Sequence, residues 1–253
     1  MKRSLITKGL LSCVIALGFI PDKTKPPQIK GTGVIIGYNK IFFVVTARHV
    51  VEALSKYDTY YLLSNTKDGR IFFKEYKKFK EFTKQGWIFH PDSNVDLAVT
   101  IFGFNLDVED IKVVPLELFA KENEIEIGAE AYVLGYPYGI STARSVVPIA
   151  RHALIAGKSI DGHYYVDAVI FKGNSGGPVF LRPSIQSPSG AIVLGPARSA
   201  PKLVGIVSTV FYDDKQPLHL SQIVGAQKII ELFNSPKFKI AMIELKKKFP
   251  PQQ

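Results

Sequence analysis

The segment FKGNSGGPVF, residues 171–180, holds one serine, Ser175, among three glycines and a proline, and the residues on either side read as buried β-strand. Glycines let backbone N–H groups point at a reacting atom, so a serine hydroxyl placed here could act as a nucleophile. That chemistry needs a base and a third group to orient the base. Without them GNSGGP is only a turn, because each of its residues forms turns for its own reason. Five histidines are available: His49, His90, His152, His163 and His219. Only His49 follows a strongly apolar run, IFFVVT, at the opening of a helical turn in TARHVV. There its neighbours can pin the backbone while the imidazole faces a cleft; the other four read as surface or structural residues. For the orienting carboxylate, HPDSNVDLAVTIF offers Asp92 and Asp96. Asp92 sits in a turn beside a proline. Asp96 directly precedes an apolar strand, where a buried acid needs a hydrogen-bonding partner, and it is the better candidate to fix the tautomer of His49.

These residues need a scaffold, and the chain reads as mostly β. Short apolar runs recur between turn signals at 12–20, 29–37, 41–46, 59–63, 70–76, 86–90 and 97–102, and again at 130–135, 144–156, 163–170, 178–181 and 203–211. A loop-rich, acidic crossing at about 103–129 separates the two groups, which points to two small β-barrels. Helix is expected at 48–55 and at 219–233, where Ile223, Ile229, Ile230 and Phe233 share a face. Residues 182–202, rich in proline and serine, read as a surface insertion.

Composition sets bounds on function. With 253 residues, 46% hydrophobic and 21% charged, the chain has the make-up of a globular protein with a real core. Lysine and arginine number 32 against 22 acidic residues. The excess concentrates in KEYKKFKEFTK (74–84) and KIAMIELKKKF (239–249). The first run alternates lysines with Tyr76, Phe79 and Phe82 as a solvated outer strand or loop would, and neither run carries a nucleic-acid motif, so nucleic-acid binding is not expected. A single cysteine, Cys13, excludes an intrachain disulfide, and no metal site or cofactor is expected. The opening MKRSLITKGLLSCVIALGFIPDK has a basic start and an apolar run, features of a signal peptide. Against cleavage, Lys8 interrupts the run and no small-x-small site follows it. Reading SCVIALGFI as a buried strand is preferred, which favours a cytoplasmic location, with export as the alternative. The run from Leu10 to Ile20 is too short to span a bilayer as a helix, so stable membrane insertion is not expected.

The segments GTGVII (31–36), VVTARHVV (44–51), NVDLAV (94–99), LGYPYG (134–139), GNSGGPVF (173–180) and LVGIVS (203–208) resemble, in order and spacing, the trypsin-like serine peptidases, and particularly their bacterial HtrA-like branch. The resemblance runs from about residue 10 to about 233. It implies an all-β, chymotrypsin-like fold of two six-stranded Greek-key barrels with a C-terminal helix. The first barrel would span 10–118 and the second 119–235, with a basic tail at 236–253. It implies a serine endopeptidase in which His49, Asp96 and Ser175 form the catalytic row and the backbone at Gly173, Asn174 and Ser175 forms the oxyanion hole. The pocket for the residue before the cut would involve Val169, Ile170, Phe171, Val207, Ser208 and Thr209. No carboxylate falls at its expected floor, so small or medium apolar residues of a protein or peptide substrate are expected there. Asn174 stands where many secreted members have an aspartate, as in HtrA-like enzymes, so zymogen processing of the trypsin type is not expected. The PDZ module that HtrA-like proteins carry after the protease domain has no counterpart in the roughly 20 residues past the expected helix. The alternative is a catalytically silent member of this fold that binds proteins or peptides.

Overall fold

The computed structural model describes residues 6–22, 25–140, 145–183, 200–213 and 216–248. A single helical turn, α1 (Lys8–Leu11), leads into β1 (Val14–Phe19), which is buried along its whole length. It lies between β2 (Gln28–Tyr38) and β4 (Tyr61–Asn65), so the apolar run is an interior strand and not an edge. β3 (Ile41–Thr46) pairs with β2 and feeds α2 (Arg48–Leu54). β5 (Ile71–Glu75), α3 (Tyr76–Thr83), β6 (Ile88–Phe89), β7 (Ala98–Ile101) and β8 (Val114–Pro115) complete the first half.

The strand order there is β5-β4-β1-β2-β3-β7-β6, with β8 running parallel beside β2. Its two edges, β5 and β6, are not hydrogen-bonded to each other, so this half is an open eight-stranded sheet where a closed six-stranded barrel is expected. Side chains bridge the gap. Tyr76, just after β5, stacks on Trp87, just before β6, with ring centroids 5.7 Å apart, and on Tyr60 at 4.8 Å. The Trp87 indole N–H donates to the Tyr60 hydroxyl.

The second half is a closed six-stranded barrel, in the order β10-β11-β14-β13-β12-β9. Its strands are β9 (Glu130–Gly135), β10 (Ile149–Lys158), β11 (His163–Asp167), β12 (Pro178–Leu181), β13 (Lys202–Asp213) and β14 (Gln216–Gly225). Two helices follow, α4 (Ala226–Asn234) and α5 (Pro236–Lys248). The expected helix at 219–233 is thus corrected over nearly its first half: β14, up to Gly225, pairs with β11 and β13, and helix begins only at Ala226. The segment expected as a basic tail is largely α5, anchored by Phe238, Ala241 and Leu245. The first lysine-rich run is corrected as well, since Tyr76–Thr83 is helix and not an outer strand or loop. Most of the expected 182–202 insertion, residues 184–199, lies outside the described residues.

One apolar core crosses the seam of the two halves. It joins Val34, Phe43 and Val99 of the first sheet to Leu134, Phe180 and Ile206 of the barrel, and Phe233 and Phe238 of the helices cap it. No helix among the described residues is long and apolar enough to cross a membrane.

Candidate active site

Three sequence segments meet at the seam. β3 ends at Thr46, and α2 starts at Arg48, which places His49 in the first turn of a short helix whose Val50, Val51 and Leu54 are buried. Asp96 lies just before β7. Its Oδ1 accepts the backbone N–H of His49 at 2.9 Å, and its Oδ2 lies 2.7 Å from His49 Nδ1. Ser208, on β13, donates its hydroxyl to the same Oδ2 at 2.8 Å. The carboxylate therefore holds both the backbone and the ring of residue 49.

The charges respond accordingly. The hydrogen bond to Asp96 raises the His49 pKa above its ordinary 6.5, against burial, which alone would lower it. Burial by itself would raise Asp96, but the bonds from His49 and Ser208 and the neighbouring imidazolium hold it below the ordinary carboxylate value. Each partner favours the charged form of the other.

The Ser175 turn docks against this pair. Gly176 donates its N–H to the Val207 carbonyl at 2.7 Å, and Val207 returns a bond to the Gly177 carbonyl at 2.9 Å. The next residue after Val207 is Ser208, so one strand carries both the clamp on the serine turn and the partner of Asp96. A Cβ at Gly176 would fall 2.1 Å from Thr46 Oγ1 and 2.9 Å from the Ala47 nitrogen, so the turn touches the strand end three residues before His49. His49 Nε2 and Ser175 Oγ have no hydrogen-bond partner among the described residues.

A residue the sequence reading passed over ties the halves together. Thr32 of β2 donates its hydroxyl to the Gly173 carbonyl at 2.6 Å and its N–H to the Ser175 carbonyl at 2.8 Å. Its own carbonyl accepts from Thr46 Oγ1 at 2.6 Å. The signal was present in GTG: a polar residue between two glycines in an otherwise apolar strand.

Ahead of the serine, the Lys172 carbonyl accepts from the Tyr138 N–H. With a trans peptide, the Gly173 N–H then points the opposite way. Gly173 has φ of 98°, a shape that glycine takes without strain. The N–H groups of Gly173 and Ser175 have no partner among the described residues, whereas that of Asn174 donates to the Phe171 carbonyl at 3.1 Å. Of the three residues expected to form the oxyanion hole, Gly173 and Ser175 thus keep a free N–H among the described residues, while the backbone N–H of buried Asn174 is engaged.

The expected specificity residues do not share one pocket. Ile170 and Val207 are buried in the barrel core. Ser208 serves Asp96, and Thr209 is exposed beside it. Phe171 stacks on Tyr138 at 4.9 Å and lies under the Arg151 guanidinium. Val169 is exposed in an open groove with Ala156, Asp167, Leu218, His219 and Leu220. Asp167 is a carboxylate on that groove, which takes in only Val169 of the expected pocket residues. Among the described residues no three His, Cys, Asp or Glu side chains cluster as metal ligands.

Residues 31–183 match the model of the trypsin-like peptidase domain. The chain belongs to that family. Similar proteins include protease Do-like 5, chloroplastic, of Arabidopsis thaliana, 28% identical over 156 residues that make up 60% of this chain and 45% of that protein. A probable periplasmic serine endoprotease DegP-like of Brucella suis is 28% identical over 176 residues, 66% of this chain and 30% of that one. The chain spans less than half the length of these curated relatives. Among solved structures, the HtrA-type protease AlgW with tripeptide aligns with 89% of this chain and 60% of its own at a TM-score of 0.56 and 18% identity. The serine endoprotease from Yersinia pestis aligns with 89% of this chain and 64% of its own at 0.53 and 19%. These last two likenesses are of fold, and the fold is the chymotrypsin-like one of HtrA proteases.

Proposed function

We propose that this trypsin-like chain is a serine endopeptidase, with Ser175 as nucleophile, His49 as general base and Asp96 as the group that orients and charges His49. The observation that carries the reading is the two-point hydrogen bonding of Asp96 to residue 49, through ring and backbone, beside a serine turn flanked by two unpartnered N–H groups. With its Nδ1 proton facing Asp96, His49 presents a bare Nε2 to Ser175. As Ser175 Oγ bonds to the peptide carbonyl carbon, its proton passes to Nε2, and the carbonyl oxygen gains the negative charge. Gly173 and Ser175 N–H groups stabilise that charge, about 3 kcal/mol for a donor of this kind. Nε2 then returns the proton to the departing amine as the C–N bond breaks, leaving an acyl-enzyme. Water, deprotonated by the same nitrogen, releases the acid and restores the serine.

The likeness to HtrA-type proteases solved with peptides supports a protein or peptide substrate. The apolar residues Val169, Ile170 and Phe171, six to four positions before Ser175, support a preference for small or medium apolar side chains before the cut. The open-sheet half, 10–118, and the barrel half, 119–235, act as one peptidase unit.

The test is labelling by a fluorophosphonate probe. Wild type should label, and Ser175→Ala, with an unchanged melting temperature, should not. A folded wild type that takes no label would make this chain a silent binding module instead. A peptide-library profile dominated by lysine or arginine before the cut would refute the apolar preference.

A further inference from the structure

We propose that α5 and the adjoining α3 form a docking face for an anionic lipid bilayer surface. The two lysine-rich runs lie more than 150 residues apart in the chain, yet the fold sets them side by side: Gln85 Nε2 donates to Glu244 Oε2 at 3.0 Å. Lys84, the left-handed residue that ends α3, immediately precedes Gln85. At 100° per residue, Phe238, Ala241 and Leu245 fall on one side of α5 and are buried against the core. The opposite side is where Ile240 and Ile243 lie, and these are 58% and 55% exposed. Lys237, Lys239, Lys246 and Lys247 surround them, all exposed. On α3, Tyr76 and Thr83 face inward while Lys77, Lys78, Lys80 and Lys84 face solvent. The two adjoining helices therefore carry eight exposed lysines against three glutamates: Glu75, paired with Lys78, the exposed Glu81, and Glu244. On neighbouring α4, Lys228 and Glu231 pair with each other.

Charge complementarity selects an anionic partner, and the two isoleucines select among anions. An isoleucine side chain neither stacks on a base nor bonds a phosphate, but it gains by entering the headgroup–acyl boundary of a bilayer. A helix of 13 residues, about 20 Å long, can lie flat on such a surface with its isoleucines down and its lysines at headgroup level. Each lysine close to an anionic surface strengthens attachment about fivefold. This attachment is peripheral and independent of the peptidase reading.

The experiment is sedimentation of the full chain with vesicles of phosphatidylcholine alone and of phosphatidylcholine mixed with phosphatidylglycerol. Binding is expected to the mixed vesicles only, weakened tenfold or more by high salt, since surface charges are screened within about 10 Å at ordinary ionic strength. Ile240→Ser with Ile243→Ser should weaken it about tenfold at unchanged melting temperature. Lys77→Gln with Lys80→Gln, on the other helix, should weaken it about 25-fold without touching α5. Failure to pellet with mixed vesicles, equal binding to neutral ones, or indifference to both double variants would overturn the proposal. So would a salt-sensitive shift of duplex DNA with no vesicle binding, which would assign the face to nucleic acid.

Discussion

Replacing Asp96 by asparagine removes one charge and nearly nothing else, and the geometry dictates the outcome. The backbone N–H of His49 points at Oδ1, 2.9 Å away, and can only donate. The asparagine must therefore keep its carbonyl oxygen at Oδ1 and place its NH₂ at the position of Oδ2. That NH₂ then faces His49 Nδ1, 2.7 Å from the present oxygen, and donates to it. The ring is forced into the tautomer with its proton on Nε2, which cannot accept the Ser175 proton. Loss of the base by wrong tautomer is worth about 10⁴ in rate, or about 5 kcal/mol of barrier. The pH dependence is a second readout. His49 works as a base only when neutral, and its raised pKa puts the acid limb of wild-type activity above the ordinary 6.5; in Asp96→Asn the limb moves down. Stability follows the same pair. The depressed Asp96 contributes stability above the ordinary carboxylate range and loses it as pH falls through its native value. The raised His49 contributes fully below 6.5 and loses its share as pH rises through its native value. The stability gap between wild type and variant should be widest between the ordinary carboxylate value and 6.5, and should close in acid as pH falls through the native value of Asp96. Fluorophosphonate labelling rates and urea melts across pH measure both. A variant within tenfold of wild type, with its limb unmoved, would refute the assignment of Asp96.

Gly173→Ala should be more disruptive than its size implies. Its Cβ would fall 2.2 Å from the Tyr136 carbonyl oxygen at φ of 98°, so about 1–3 kcal/mol of stability in urea melts and 10²–10³ in kcat should be lost together. Glu109→Ala strips Ser64 Oγ, the Asn105 N–H and the largely buried Lys74 ammonium of their shared acceptor. It should cost about 3–5 kcal/mol by urea denaturation, with partial recovery in a double variant with Lys74→Met. Phe238→Ala removes a ring whose centroid lies 4.9 Å from Phe233 and 5.3 Å from Phe43. A loss of about 3–5 kcal/mol in unfolding free energy is expected.

How much of the fold and site could be read in advance depended on range. Strands bounded by turn residues, such as IFFVVT and PVFL, were legible because period and punctuation agree locally. His49, Asp96 and Ser175 were legible by their settings: a histidine after an apolar strand, an acid before one, a serine among glycines. What failed was long-range. Ile223 fits a helical face with Ile229 and Phe233, and only pairing of β14 with β11 and β13 makes it strand. The alternation of Lys and aromatic in 74–84 suits a strand and a helix alike until Tyr76 finds Trp87 across the sheet opening. Ser208 was assigned to a pocket because its spacing places it near substrate, whereas its hydroxyl turns inward to Asp96.

Thr32 belongs to the first half of the chain, yet it grips the carbonyls of Gly173 and Ser175 in the second. The nucleophile turn therefore lacks two of its anchors until a strand far upstream is in place, the Gly173 contact alone spanning 141 positions. Neither half, emerging alone from synthesis, would own a working hydrolytic centre. Cleaving power, on the proposed reading, would arrive only when the two halves dock.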